Sequence, residues 1–172
     1  MKNFQPLIFG FLLLYSSSTV AQNWDNEILY DGTAVSCFFN NEHDFTLDNY
    51  LTINIGRYAD AYIKLVDYYT DQDVRQVYIG SKTKFSIKNI PEGKYYLKIA
   101  FGHKPQSDGS CNFRFKEKPY YYKGGSIMDF NIIKESDGYS VPSFELSLDV
   151  EVSFSSGSGF SKDVISENSF NN

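Results

Sequence analysis

The stretch from Phe144 to Phe154 constrains this chain more than any other. Its even positions, Phe144, Leu146, Leu148, Val150, Val152 and Phe154, are all apolar, and its odd positions, Glu145, Ser147, Asp149, Glu151 and Ser153, are all polar. Successive side chains of a strand point to opposite faces, so this pattern predicts one half-buried strand with a single wet face. Shorter runs repeat the theme. Leu51 to Ile55 aligns Leu51, Ile53 and Ile55; Ala61 to Val66 aligns Ala61, Ile63 and Leu65; Lys94 to Phe101 aligns Tyr95, Leu97, Ile99 and Phe101. Ala34 to Phe39, Val74 to Ile79, Lys84 to Lys88 and Ile127 to Ile133 read as further strands. Polar or Gly/Pro-bearing turns, such as Thr70 to Asp73, Gly80-Ser81 and Ile90 to Gly93, separate several of them. Helical periodicity is nearly absent, and aromatic residues, which suit strands, make up 17% of the chain. The expectation is an all-β sandwich of about seven to eight mainly antiparallel strands.

Domain organisation follows from the remaining segments. Lys2 precedes an apolar run from Pro6 to Tyr15, then a polar patch and the small-residue end Thr19-Val20-Ala21. That is the plan of a cleavable secretory signal, with the cut expected after Ala21. The apolar run falls short of the roughly 20 residues a membrane span needs, so no anchor is expected after cleavage. No Cys stands at the boundary, which excludes a lipoprotein anchor. One sandwich domain is expected over residues 22–154. Within it, Gly102 to Gly125 carries Gly, Pro, Lys and three consecutive tyrosines, and reads as a long loop excursion. Ser155-Ser156-Gly157-Ser158-Gly159 has a flexible-linker composition, and Phe160 to Asn172 reads as a tail, disordered or holding one helical turn around Asp163 to Glu167.

Export bears on Cys37 and Cys111, the two cysteines of the chain. An even count in an oxidising compartment favours a disulfide between them. On the chain-entropy view, closing so long a loop stabilises by roughly 4 to 5 kcal/mol. The other reading is two separate buried thiols, since free Cys behaves as a small apolar residue. Without paired C-x-x-C spacing they form no metal or redox motif. No cofactor and no metal site is expected.

Charge narrows the partners. Removing Lys2 takes the formal net charge from −5 to −6. Seven acids (Glu135, Asp137, Glu145, Asp149, Glu151, Asp163 and Glu167) face one base, Lys162, after residue 134. No broad basic footprint exists, so nucleic acid is not an expected partner.

Phe85-Ser86-Ile87-Lys88-Asn89-Ile90-Pro91-Glu92-Gly93-Lys94-Tyr95-Tyr96-Leu97-Lys98-Ile99 resembles the recurrent hairpin of transthyretin-like (prealbumin-like) modules, which carboxypeptidase-regulatory-like domains share. In that hairpin an alternating strand enters an apolar-Pro-acid-Gly turn and leaves through a strand that opens with Tyr. Pro91 presets φ and Gly93 can take φ > 0; Ile90 would plug the sandwich end while Tyr95 and Leu97 re-enter the core. The likeness spans roughly residues 51–102, and the chain as a whole resembles small exported proteins of Gram-negative bacteria. The resemblance implies a prealbumin-like sandwich, generally non-catalytic, that binds or stabilises. Fold alone does not fix function.

Few residues offer chemistry. His43, in the polar stretch Asn40 to Asp44, and His103, beside Lys104, are the only histidines. A hydrolase would need one of them oriented by a carboxylate beside a nucleophile such as Cys111. Gly157-Ser158-Gly159 lies in linker composition rather than in a nucleophile elbow. Glu145, Asp149 and Glu151 share a strand face and could offer oxygens to Ca²⁺, or simply keep that face solvated. Asp71 and Asp73 come without EF-hand spacing.

The most suggestive surface lies between Lys104 and Lys123. There Lys104, Arg114, Lys116, Lys118 and Lys123 outnumber Asp108 and Glu117, with Phe113, Phe115, Tyr120, Tyr121 and Tyr122 interleaved. Such a loop can stack on a surface glycan or anchor a protein partner. Alternatively its aromatics cap the open end of the sandwich. The expected function is an exported, non-catalytic binding or protein-interaction module that uses Lys104, Arg114, Lys116, Tyr120, Tyr121, Tyr122 and Lys123. The alternatives are an envelope or surface-assembly component pairing through a sheet edge, and a hydrolase built on His43 or His103.

Overall fold

The computed structural model describes residues 23–35, 41–150 and 162–172. Within them the chain is an all-β, sandwich-like fold of open sheets. The strands are β1 (Asp25–Asn26), β2 (Tyr50–Ile55), β3 (Asp60–Asp67), β4 (Asp73–Ile79), β5 (Lys84–Lys88), β6 (Lys94–Ser107), β7 (Phe113–Gly124), β8 (Met128–Asp129), β9 (Ile133–Lys134), β10 (Tyr139–Ser140), β11 (Phe144–Leu148) and β12 (Lys162–Val164), followed by the short helix α1 (Glu167–Asn171). The large sheet runs β12-β7-β6-β3-β4 and is antiparallel throughout, with β1 and β8 paired to opposite ends of β6. The small sheet runs β11-β2-β5, with β11 parallel to β2, and β9 and β10 pair by themselves.

Alternation explains the layering. Leu51, Ile53 and Ile55 from β2 meet Ala61, Ile63 and Leu65 from β3 and Leu97, Ile99 and Phe101 from β6 in one core between the sheets. The opposite face of the large sheet is covered as well. Tyr62, Ala100, Phe113, Phe115 and Tyr121 form a second apolar cluster there with Val35 and Phe170. Strand β3 is therefore buried on both faces between its two terminal aspartates. The fold has three layers rather than two, and the third is made from the chain's flanking segments.

Several expectations need correcting. The excursion expected over Gly102 to Gly125 is an extension of the large sheet, the long β6–β7 hairpin. Its turn is set by Asp108, whose Oδ1 accepts from the Ser110 amide at 2.8 Å, with Gly109 at φ 74° and Cys111 at φ 65°. A bulge after Phe101 shifts the register, with Lys104 and Lys118 in left-handed backbone on either strand, and this irregularity disguised two alternating strands. Gly102 lies at the bulge, where a Cβ would overlap the Phe115 side chain and stand 2.9 Å from the Glu117 carbonyl oxygen.

The Phe85 to Ile99 segment is no hairpin either. β5 pairs with β2 in the small sheet, whereas β6 belongs to the large one, so Ile90 to Gly93 crosses between layers. Asn49 holds the crossing: its Nδ2 donates to the Ile90 carbonyl at 2.8 Å and its Oδ1 accepts from the Ile90 amide at 2.7 Å. Ile90 is fully buried at the sandwich end, and Tyr95 and Leu97 enter the core. Tyr95 Oη donates to the Pro91 carbonyl at 3.0 Å. Gly93 supplies room, since a Cβ would stand 2.7 Å from Tyr95 Oη.

The expected tail adds structure as well. β12 pairs with β7, and Phe170 is fully buried in the second cluster, because the apolar groups on the outer sheet face need cover that Phe170 and Ile165 supply. The linker composition at 155–159 lies outside the described residues. The strand expected from Phe144 to Phe154 pairs as β11 only to Leu148, where Gly56 donates to the Leu148 carbonyl at 2.9 Å; residues from 151 to 154 lie outside the described residues. Ile127 to Ile133 resolves into β8 and the start of β9, separated by the Asp129-to-Asn131 turn. Of Ala34 to Phe39, Val35 is buried without strand pairing and 36–39 lie outside the described residues.

Candidate functional site

Register places three lysines in one line. Lys64 on β3 pairs with Lys98 on β6, and Lys98 pairs with Lys123 on β7. The row continues to Gln76 on β4 at one end and to Asp163 on β12 at the other. These residues share the outer face of the large sheet with Tyr62, Ala100 and Tyr121, each two positions away along its strand. Like charges directly opposite one another across strands cost stability, of order 0.2 to 1 kcal/mol per pair. Both Lys64 and Lys98 are also nearly buried, at 2% and 4% exposure.

The surroundings answer this charge unevenly. Lys64 Nζ pairs with Asp73 at 2.9 Å and lies 5.1 Å from the Phe170 ring centroid. Lys98 Nζ donates to the backbone carbonyl of Asn172 at 3.0 Å. Lys123 Nζ sits 4.3 Å over the Tyr96 ring, and Tyr96 donates its phenol proton to Asp71. Burial lowers the Lys98 amine below the usual lysine range; Asp71 and Asp73 oppose the shift, and Lys64 and Lys123 add to it. Burial, then the bond to Asp71, holds the Tyr96 phenol above its usual range, so it stays a donor.

A cleft of about 330 Å³ opens over this row, lined by Asp71, Tyr96, Lys98 and Lys123 from the sheet side and by Ile165 and α1 from the other. α1 is held there by several contacts. Ser166 caps it, accepting from the Ser169 amide at 3.1 Å. Asn171 occupies the free edge of β7: its Oδ1 accepts from the Phe113 amide at 2.8 Å and its Nδ2 donates to the Phe113 carbonyl at 3.1 Å. Tyr121 Oη donates to Glu167 at 3.0 Å.

On the other flank of α1 a second cleft of about 130 Å³ is lined by Trp24, Asn112, Glu167 and Asn171, and shares Asn168 and Asn172 with the first. The Arg114 guanidinium lies 4.2 Å from the Trp24 ring centroid. It is positioned by Gln106, whose Oε1 accepts from Arg114 Nε at 3.0 Å and whose Nε2 donates to Asn26 at 3.0 Å.

The chain matches no protein-family model, no curated protein and no solved structure. What the site does must follow from its geometry.

The surface expected between Lys104 and Lys123 is dispersed by strand alternation. Tyr121 faces the outer cluster; Tyr122 faces the inter-sheet core, with Lys162 Nζ 4.1 Å over its ring; Tyr120 is half exposed. Lys104 pairs with Glu117 at 2.5 Å near the bulge, and Lys116 is exposed on the strand beyond it. Only Lys123 lines a cleft, beside Asp71, Tyr96, Lys98 and α1; Arg114 and Tyr121 stand behind the second one, on Trp24 and Glu167 respectively. Of these, Lys98 had a signal in sequence, a lysine on the face opposite Leu97 and Ile99, yet nothing there tied it to Lys64 or Lys123.

The remaining candidates lie apart. His43 stacks on Phe45 at 5.2 Å near the Asp67 end of β3, with its pKa lowered by burial and then by Arg75. His103 lies at the other end of β3, its Nδ1 4.0 Å from Asp60. Glu145 is taken by Lys84 at 2.8 Å and Asn54 at 2.9 Å, and Glu151 lies outside the described residues. Among the described residues no three His, Cys, Asp or Glu side chains group to hold a metal ion. Cys111 sits in the β6–β7 turn, and Cys37 lies outside the described residues.

Proposed function

We propose that this chain is an exported, non-catalytic binding module that takes an anionic group in the cleft beside α1. The observation that carries the reading is the register Lys64–Lys98–Lys123. Lys64 is answered by Asp73, but Lys98, buried, and Lys123, exposed, stand opposite one another at the cleft, an arrangement that costs a sheet stability and that an anion would relieve. Within the cleft two ammonium groups, Lys98 and Lys123, stand beside one acidic side chain, Asp71, which favours an anionic ligand. Tyr96 adds an aromatic wall. A volume of about 330 Å³ sits at the lower end of ligand pockets, which run from about 300 to 1,000 Å³, so one small group or one residue of a polymer fits. The non-catalytic part of the reading is supported by the separation of His43 from His103 along β3.

Export is supported by the signal-like start, and a Cys37–Cys111 disulfide belongs to the same reading; no free thiol is found among the described residues. The prealbumin-like assignment is supported by the Ile90 plug and by the two sheets sharing one core.

The test is titration calorimetry of the mature chain with two anionic polymers, oligogalacturonate and poly-L-glutamate, against neutral dextran. Saturable binding of at least one anionic polymer is expected, weakening as salt rises and falling at least tenfold in Lys98→Met. Equal binding of dextran, or a Lys98→Met variant that is folded and binds unchanged, would end the reading.

A further inference from the structure

Building on the anion-binding reading, we infer that the cleft beside α1 captures a small oxo acid covalently, its carbonyl carbon condensing with the Lys98 amine while its carboxylate lies at Lys123. The two lysines stand opposite one another on β6 and β7, and both line the cleft. Directly opposed side chains start about 4.5 to 5.5 Å apart, so one short molecule with a carbonyl next to a carboxylate can reach both.

Lys98 has the surroundings of a nucleophilic amine. It is buried, and burial lowers the amine below the usual lysine range; Lys64 and Lys123 add to the shift, against Asp71 and Asp73. Its Nζ donates to the Asn172 carbonyl at 3.0 Å, a bond that a neutral amine keeps while its lone pair stays free. The other desolvated lysines are placed differently. Lys64 Nζ is held by Asp73 at 2.9 Å. Lys162, also lowered by burial, donates to the Asp149 carbonyl at 2.8 Å and lines neither cleft. Lys123 is exposed and supplies charge for the carboxylate.

The step balances without an added oxidant or reductant. The Lys98 lone pair forms the C–N bond as the carbonyl π pair moves onto oxygen. One nitrogen proton passes to that oxygen, giving a carbinolamine; the remaining nitrogen proton then leaves with the oxygen as water, and a C=N bond remains. The Tyr96 phenol, hydrogen-bonded to Asp71 in the same cleft, can carry the proton from nitrogen to oxygen.

The test is reductive trapping of the mature protein with glyoxylate and sodium cyanoborohydride, which turns the imine into carboxymethyl-lysine for peptide mass mapping. Lys98 is expected to be labelled at least about tenfold faster than the exposed Lys116, because a lowered amine is more often unprotonated. That preference should vanish in urea. Lys123→Met is expected to slow labelling of Lys98 by glyoxylate more than labelling by propanal, which has no carboxylate. Labelling of Lys98 no faster than of Lys116 would overturn the inference and leave the anion-binding reading to its own calorimetry. Equal preference for Lys98 with both carbonyls, in the parent and in Lys123→Met alike, would remove the oxo acid and count against the anion-binding reading itself.

Discussion

Replacing Phe170 with Ala tests how the third layer is attached. Phe170 is fully buried, 5.5 Å from the Tyr121 ring and 6.5 Å from those of Tyr62 and Phe113. Truncating a buried Phe costs about 3 to 5 kcal/mol. The rest of the segment's anchorage is mostly polar. Its side-chain and loop hydrogen bonds, at the Tyr121 carbonyl, at both polar atoms of the Asn171 amide, at Glu167 and at the Asn172 carbonyl, contribute about 1 kcal/mol each. The entropy of ordering the segment opposes these contacts, so docking depends on the apolar burial that Phe170 supplies. The variant is therefore expected to release β12 and α1 while the inter-sheet core stays intact, and the measured loss saturates at the docking free energy. A loss of about 3 kcal/mol corresponds to a thermal midpoint lower by roughly 6 to 12 °C for a domain of this size. Hydrogen exchange read by mass spectrometry should show protection vanishing in 162–172 and at the Phe113 amide, with 60–67 still protected. Unchanged protection in 162–172, with a midpoint within about 1 °C of the parent, would refute the reasoning.

Two further outcomes are expected. Gly102→Ala should destabilise by about 1 to 3 kcal/mol in urea unfolding, because the new Cβ overlaps Phe115 and crowds the Glu117 carbonyl at the bulge; a midpoint equal to the parent's would show that the bulge relaxes freely. Lys98 should make stability rise with pH below the ordinary lysine value, since its folded amine is lowered by burial and the unfolded chain then holds more protons across that window. Subtracting the Lys98→Met stability curve from the parent's isolates this slope from the tyrosines that titrate nearby, and a flat or falling difference would contradict it.

Where one mechanism dominates, sequence and structure agree. Leu51, Ile53 and Ile55, and Leu97, Ile99 and Phe101, sit in the inter-sheet core because alternation leaves them no other face. The same pattern misled where the backbone broke its period. Lys104 and Lys118 take left-handed backbone, and the resulting shift hid a hairpin behind what reads as loop composition. Phe144 to Phe154 has the cleanest alternation in the chain, and among the described residues its pairing runs from Phe144 to Leu148.

The candidate site was less legible. Arg114, Tyr121 and Lys123 stood out as part of a basic aromatic stretch, but Trp24, Asp71, Tyr96 and Lys98 come from distant segments. Phe170 reads as part of a tail, and its role depends on an apolar patch that is assembled only once β3, β6 and β7 lie side by side.

The sequence by itself determined the class of fold and the residues of the central core, because a strand's two faces are written in its own side chains. The order of the strands and the facing of Lys64, Lys98 and Lys123 were decided only by the tertiary structure. Register is a relation between chain segments far apart, set by bulges, crossings and the packing of a helix on a sheet, and no single segment carries it.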